Sequence, residues 1–290
     1  MRFSPMATDD YVAFASARRP RVDLGVLRTS ADPESVHELV LLAGEVDGET
    51  VAAGMSGRFP GMPATRRYVD VTSRHSGRGW GGLMHHELLA GLPDEVEEQV
   101  GSVQDDDPAA LAVAGHWGYQ VSQHSLTVEL DLSGAAEPEV PPGVTLLACD
   151  DLRFDDEDAV EAMLLASQTN PEFELGLVLT LDRLRSNVAT GQRPVAVLAR
   201  LDGRPAALAY AIADGDHMHV VYTGVDREMR GHGLAMLTKR LLHARAATLG
   251  IRTAITDNEE GNLGIRRVNE ELGYRHTRGE YWLRRRSARQ

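Results

Sequence analysis

The residues able to do chemistry cluster late in the chain. His217 and His219 lie in the run Asp216 to Thr223, whose alternation puts them with Val221 on one face of a strand. An imidazole suits proton removal near neutral pH, so either histidine can act as a general base. Tyr222 adds a hydroxyl that can return a proton. A glycine-rich passage follows, Val225-Asp226-Arg227-Glu228-Met229-Arg230-Gly231-His232-Gly233-Leu234-Ala235. The apolar run Met218 to Tyr222 before it and the helical pattern Leu237, Leu241, Leu242 after it predict a strand, a loop and a helix. The first-turn amides of such a helix are free and carry partial positive charge, so they can hold a pyrophosphate. The loop is not G-x-x-x-x-G-K-[ST], and Gly231-x-Gly233 has no third glycine three residues on.

The next elements narrow the reading. A helix from Gly233 to Leu249 stops at Gly250, a strand from Arg252 to Thr256 follows, and then comes Asn258-x3-Asn262-x6-Asn269-x2-Leu272-Gly273-Tyr274. Arg230, Gly233 and Ala235 spell R-x-x-G-x-A. In this order the signatures resemble the GNAT superfamily of acetyl-CoA-dependent N-acetyltransferases. The resemblance implies a strand pair that splays to admit the pantetheine arm of acetyl-CoA, and direct attack of a deprotonated amine on the thioester. It implies that Val225 offers backbone groups to pantetheine. Arg230, Gly231, His232, Gly233, Leu234 and Ala235 supply the pyrophosphate amides, Asn258 and Asn262 face the gap, and Asn269 counts with them as cofactor-binding. Many members carry a tyrosine acid where this chain has Asn269, and an amide is not an acid. The acid then falls to Tyr222, to a residue of the N-terminal half or to water; Tyr274 belongs to a packing signature. Glu172, in Asn170-Pro171-Glu172-Phe173-Glu174, lies where the family builds acceptor-binding loops, so it is a candidate to bind the amine.

An internal repeat sets the organisation. Asp47-Gly48 and Asp202-Gly203 recur at the same spacing as Gly118-Tyr119 and Gly273-Tyr274. Between them Tyr68, Val71, Gly77, Gly79, Leu83 and Leu88 match Tyr222, Val225, Gly231, Gly233, Leu237 and Leu242. The expected fold is α/β (α+β): two tandem GNAT-like domains, each a mixed, mostly antiparallel sheet flanked by helices with a splayed central strand pair. The N-terminal domain, 1–133, is expected to be degenerate and non-catalytic. A Pro-rich linker, 134–143, leads to a catalytic, acetyl-CoA-binding domain, 144–290, starting with a strand Val144 to Ala148 and a helix around Asp156 to Gln168. In the first copy Ser76 stands at the Arg230 position, although Arg74-x-x-Gly77-x-Gly79 offers a second register. Gln104-Asp105-Asp106-Asp107-Pro108 replaces the Asn-rich segment, and carboxylates there repel a phosphorylated cofactor. No clean first strand precedes His37; a helix from Asp9 to Ala17 is possible.

Composition bounds the rest. The formal net charge of -13 argues against nucleic acid and favours a cationic acceptor. No run approaches the roughly 20 apolar residues that span a bilayer, and the start has no signal-peptide core, so the expectation is a cytoplasmic protein with no membrane partner, monomer or homodimer. Cys149 is alone and reads as a core residue, the acidic run Asp150 to Asp158 as solvated capping of a helix start, and Arg284-Arg285-Arg286 as a solvated end. No metal site is expected. The leading function is transfer of an acetyl group from acetyl-CoA to the primary amine of a small molecule. The alternatives are a catalytically silent acyl-CoA-binding protein and a protein-lysine acetyltransferase.

Overall fold

The computed structural model describes residues 1–19, 24–168, 178–186, 188 and 191–287. The chain forms two compact units, residues 1–123 with 280–290, and residues 124–279. Each is a sheet carrying helices.

The first unit contains β1 (Arg2–Pro5), α1 (Thr8–Ser16), α2 (Leu24–Ser30), β2 (His37–Val46), β3 (Glu49–Arg58), β4 (Arg66–Ser73), α3 (Trp80–Ala90), β5 (Glu98–Gln104) and α4 (Pro108–His116). Its strands run in the order β1-β2-β3-β4-β5, with the end of β12 (Arg275–Arg286) antiparallel to β5. The other neighbours are antiparallel except β4 and β5, which are parallel. The second unit starts within β6 (Gln120–Asp131) and contains β7 (Val144–Ala148), α5 (Glu157–Ser167), α6 (Leu181–Ser186), β8 (Arg193–Leu201), β9 (Arg204–Asp214), β10 (His217–Val225), α7 (Leu234–Thr248), β11 (Thr253–Glu259) and α8 (Leu263–Leu272). Its order is β6-β11-β10-β9-β8-β7, with only β10 and β11 parallel among these pairs.

Local sequence accounts for these elements. The β2–β3 and β8–β9 hairpins turn on Asp47-Gly48 and Asp202-Gly203, with φ of 52°, 81°, 50° and 80°. Two successive left-handed residues match the twist of antiparallel strands, and Asp-Gly tolerates them best. Val195–Ala199 in β8 and Ala206–Ala211 in β9 are continuous apolar runs, buried on both faces. On one face of the second sheet Met218, Val220, Leu242, Ala246 and Ala254 form a core closed by Leu132 and Tyr274. On the other, Leu198, Leu208, Tyr210 and Tyr222 pack against Val160, Met163 and Leu164 of α5. Each fully buried large side chain contributes about 1.5–3 kcal/mol.

Four expectations need adjustment. A first strand does precede His37: it is β1, whose partner β2 lies far along the chain, so its four residues carry no local signal. The basic run Arg284-Arg285-Arg286 is no solvated end but part of β12, where Arg284 pairs with Glu98 and Arg285 donates to Gln99 and to the Trp117 carbonyl. The carboxylates at the start of α5 are engaged by arginines, Asp156 with Arg200 and Glu157 with Arg185, while Asp150 holds Arg245; the Asp156 side chain caps no amide. The compact units divide inside β6 and β12, so His124–Asp131, which the repeat groups with the first copy, is built into the second sheet. Cys149 is a core residue, with its thiol pushed up to about 12 by burial. Among the described residues no helix is long and apolar enough to cross a membrane.

Candidate active site

The second unit contains the elements expected of a thioester site. The parallel ladder between β10 and β11 covers only His217–His219 against Thr253–Ile255, after which the strands part. On its other edge β10 shifts register against β9 between Val220 and Tyr222, a one-residue bulge at Val221 that re-aims the strand at the start of the gap. The Thr256 hydroxyl donates to the Val220 carbonyl across the first step of the gap (3.0 Å).

Beyond β10, Asp226 accepts from the Glu228 amide at a single 3₁₀ turn, Arg227–Met229, and the chain enters α7 through Gly231 and Gly233, with φ of 86° and 70°. Gly233 is the residue before the helix and supplies no side-chain cap, and 231–233 is exposed. The first-turn amides of α7 therefore face outward uncapped, an arrangement that fits a pyrophosphate. Leu234 is buried beneath the loop, and Ala235 is half-buried. His232 turns back, its Nδ1 3.1 Å from the Met229 carbonyl. The Arg230 side chain also points inward, donating to the carbonyls of Val225 (3.4 Å) and Ser167 (3.3 Å).

The asparagines are placed differently from a row facing the gap. Asn262 accepts from the Ile265 amide (3.4 Å) and so caps α8. Asn258 and Asn269 are both buried and bonded to each other, Nδ2 of Asn269 to Oδ1 of Asn258 at 3.1 Å. The Asn269 oxygen accepts from Lys239 Nζ at 2.6 Å, and this fully buried ammonium lies 4.7 Å from the centre of the Tyr274 ring. Burial brings Lys239 down to about 7. Tyr274 is core, as its signature suggested, and its hydroxyl meets His243 Nε2 at 2.8 Å.

The proton-transfer candidates separate clearly. His219 is half-exposed, and its Nε2 lies 3.0 Å from Asp257 Oδ2. His217 is equally exposed but has only a 4.0 Å approach to Asp216. Tyr222 is buried in the α5 core; its hydroxyl is hydrogen-bonded to Ser167, its ring lies across Gly224, and burial pushes it up to about 12. Glu172 lies outside the described residues. Sequence reasoning missed Asp257, Lys239 and Ser167, because each acquires its role from a partner distant in the chain.

The first unit repeats the frame. Its β4–β5 ladder also covers three residues, Arg66–Tyr68 against Glu98–Val100, and Gly101, whose added Cβ would lie 2.8 Å from the Val69 carbonyl, permits the close approach where the strands part. Gly77 and Gly79 have φ of 76° and 77°, and α3 starts uncapped at Gly79. A cavity of about 650 Å³ opens here, lined by Gly77, Gly79, His85, Gly101, Asp107 and Trp117. Asp107 is spent on the Ala110 amide as the cap of α4. Elsewhere on its wall Asp70 is bound bidentately by Arg19 and also by the Tyr11 hydroxyl, and Arg19 reaches the Val71 carbonyl (3.2 Å). Val71 is the counterpart of Val225, and both carbonyls accept from an arginine, Val71 from Arg19 and Val225 from Arg230.

Comparison with known proteins agrees with this geometry. Residues 153–254 match the model of the acetyltransferase (GNAT) domain family. A tandem GNAT protein from the clavulanic acid biosynthesis pathway, solved without acetyl-CoA, superposes with a TM-score of 0.73 at 21% identity, covering 100% of this chain and 99% of its own. The chain has the tandem GNAT fold. A GCN5-related N-acetyltransferase from Sphaerobacter thermophilus is also similar, with a TM-score of 0.73, 18% identity and 98% and 95% coverage. A glucosamine N-acetyltransferase region of a fungal multi-domain GH3 β-N-acetylglucosaminidase gives a TM-score of 0.72 at 13% identity, over 98% of this chain and 38% of that one. No curated protein matches this tandem GNAT chain in sequence.

Proposed function

We propose that the protein transfers an acetyl group from acetyl-CoA to the primary amine of a small molecule, and that the second unit is the catalytic one. The observation that carries this reading is the parting of β10 and β11 beside His219, on a strand that leads into an uncapped, glycine-entered helix. Acetyl-CoA supplies a thioester, an activated acyl group with a stable thiolate as leaving group. The backbone at Gly231–Ala235 holds its pyrophosphate, and the freed edge of β10 near Val225 holds its arm. His219 takes the proton from the acceptor ammonium, which is mostly protonated at neutral pH, and the bulged backbone at Val221 orients the carbonyl under attack. The negative charge of the chain favours a cationic acceptor. With Asn269 buried and Tyr222 bonded to Ser167, water is the better proton source for the departing sulfur.

The test is thiol release from acetyl-CoA across a panel of amino sugars, amino acids, polyamines and basic peptides. Release with one small amine supports the proposal. Release only with peptides favours a protein-lysine acetyltransferase, and cofactor binding without release a silent acyl-CoA-binding protein. The cavity beside Gly77 and Gly79 supports a second reading for the first unit, that it too accepts a CoA-type ligand.

A further inference from the structure

Asp257 stands on β11 two residues past Ile255, the last residue paired to β10, and its carboxylate bridges the opening gap. One oxygen meets His219 Nε2 at 3.0 Å. The other accepts a hydrogen bond from the Thr127 hydroxyl of β6, the strand on the far side of β11, where Thr127 and Asp257 are direct cross-strand partners. Thr127 is itself held. Arg278 Nε lies 3.4 Å from its hydroxyl, and the Thr277 hydroxyl donates to its carbonyl at 3.2 Å. A relay of fixed groups thus runs from β12 through β6 and β11 to the imidazole on β10. Burial works against the charged carboxylate, but the bonds from His219 and Thr127 and the positive Arg278 outweigh it and hold Asp257 below the usual carboxylate range.

We propose that Asp257 is the positioning residue for His219: with one oxygen anchored by Thr127, it fixes the imidazole with Nε2 protonated and turns Nδ1 outward as the proton acceptor. The physical case is that a neutral imidazole has one donor and one acceptor nitrogen, and the hydrogen bond at one nitrogen decides which the other is. A carboxylate accepts but does not donate, so it selects the Nε2–H tautomer. Its charge also stabilises the imidazolium formed once Nδ1 has taken the proton of the acceptor ammonium; that proton then passes to solvent, and the nitrogen lone pair is free to form the new C–N bond. His217, two residues earlier on the same face, has only the 4.0 Å approach to Asp216 among the described residues. The other charged groups whose positions flank His219 on this face are Asp214 of β9, Glu129 of β6 and Arg278 of β12. The relay depends on β6 lying against β11, so a strand that the repeat groups with the first copy completes the proton acceptor of the second.

The inference rests on His219 being the base, and the experiment separates the two. The full chain and its His219→Gln, Asp257→Asn and Thr127→Val variants are assayed for kcat against pH, and the His219 ring is titrated by NMR. The expected result is that His219→Gln loses the rising limb of the profile. Asp257→Asn should move that limb and the ring titration to lower pH, because the stabilising charge is gone. It should lower kcat about tenfold or more. Thr127→Val should shift both in the same direction by less. An unmoved ring titration and limb in Asp257→Asn, with His219→Gln still losing its limb, would overturn the positioning role while leaving the base assignment in place. A limb that survives His219→Gln removes the base and this inference with it. If Asp257→Asn does not fold, Thr127→Val decides, and an unchanged ring titration there overturns the proposal.

Discussion

At the scale of single residues, Lys239 is the least expected feature. A fully buried lysine with one amide acceptor and one aromatic ring for company has its charged form disfavoured, which is why it lies near 7 instead of its ordinary 10.5. The groups against it do not titrate in the same range: burial brings His243 down to about 3, with Lys239 adding to the effect, and burial pushes Tyr274 up. The sign for stability follows from proton binding. Below about 7 both folded and unfolded chains carry the proton, and the cost of burying it is fully present. Between 7 and 10.5 the folded chain releases it first, the unfolded state binds more protons, and stability rises with pH by at most about 1.4 kcal/mol per unit. Urea unfolding at pH 7 and pH 9 should show a gain for the native chain that Lys239→Met lacks. Equal gains in both would mean that Lys239 stays protonated in the fold. In the register that places Gly79 on Gly233, His85 takes this position in the first unit. It is stacked on Trp117 with ring centres 4.4 Å apart, and burial lowers it to about 4.

At the scale of elements, the entrance of α7 and the edge of β11 carry the consequences. Gly233→Asp puts a side chain on a left-handed residue and a negative charge beside the free amides, so calorimetry should find cofactor affinity in the second unit reduced by at least tenfold, the equivalent of about 1.4 kcal/mol. Unchanged binding would move the pyrophosphate elsewhere. β6 is needed for a different reason. Seven of its residues, Ser125–Asp131, pair with β11, and Leu132 is buried in the core against Met218 and Leu242. A chain beginning at Val144 loses that strand and exposes the edge of β11 together with apolar surface. It should be insoluble or lack a cooperative thermal transition, whereas a chain beginning at Gln120 should keep the second unit folded. A well-folded protein starting at Val144 would show that β6 is dispensable.

At the scale of the whole molecule, the duplicated frame raises the question of how many ligands one chain binds. Both units have a three-residue parallel ladder, a strand split and a glycine-entered helix. They differ beside the split: Arg19 is locked to Asp70 in the first, whereas in the second β10 carries His219 and is bulged at Val221 on its β9 edge. Titration with acetyl-CoA should therefore give turnover that depends on Gly233 alone, while any second binding event depends on Gly79. Loss of turnover in Gly79→Asp with turnover kept in Gly233→Asp would reverse the assignment of the two units.

Much of the frame was legible in the chain by itself. Asp-Gly turns, the glycines before α7, the alternation of β10 and the repeat follow from local backbone preference and side-chain period, which act over a few residues and so leave a readable trace. They predicted the tandem fold, the strand Val144–Ala148 and the helix after Gly233. Tertiary structure decided what depends on residues distant in sequence. It set β1 against β2 and drew Arg284–Arg286 into a strand. It turned Asn258 and Asn269 inward to satisfy Lys239, and it brought Thr127 beneath Asp257 to hold His219. Hydrogen-bond partners of buried and half-buried polar groups are fixed by strand order and register, and neither is encoded at any single position.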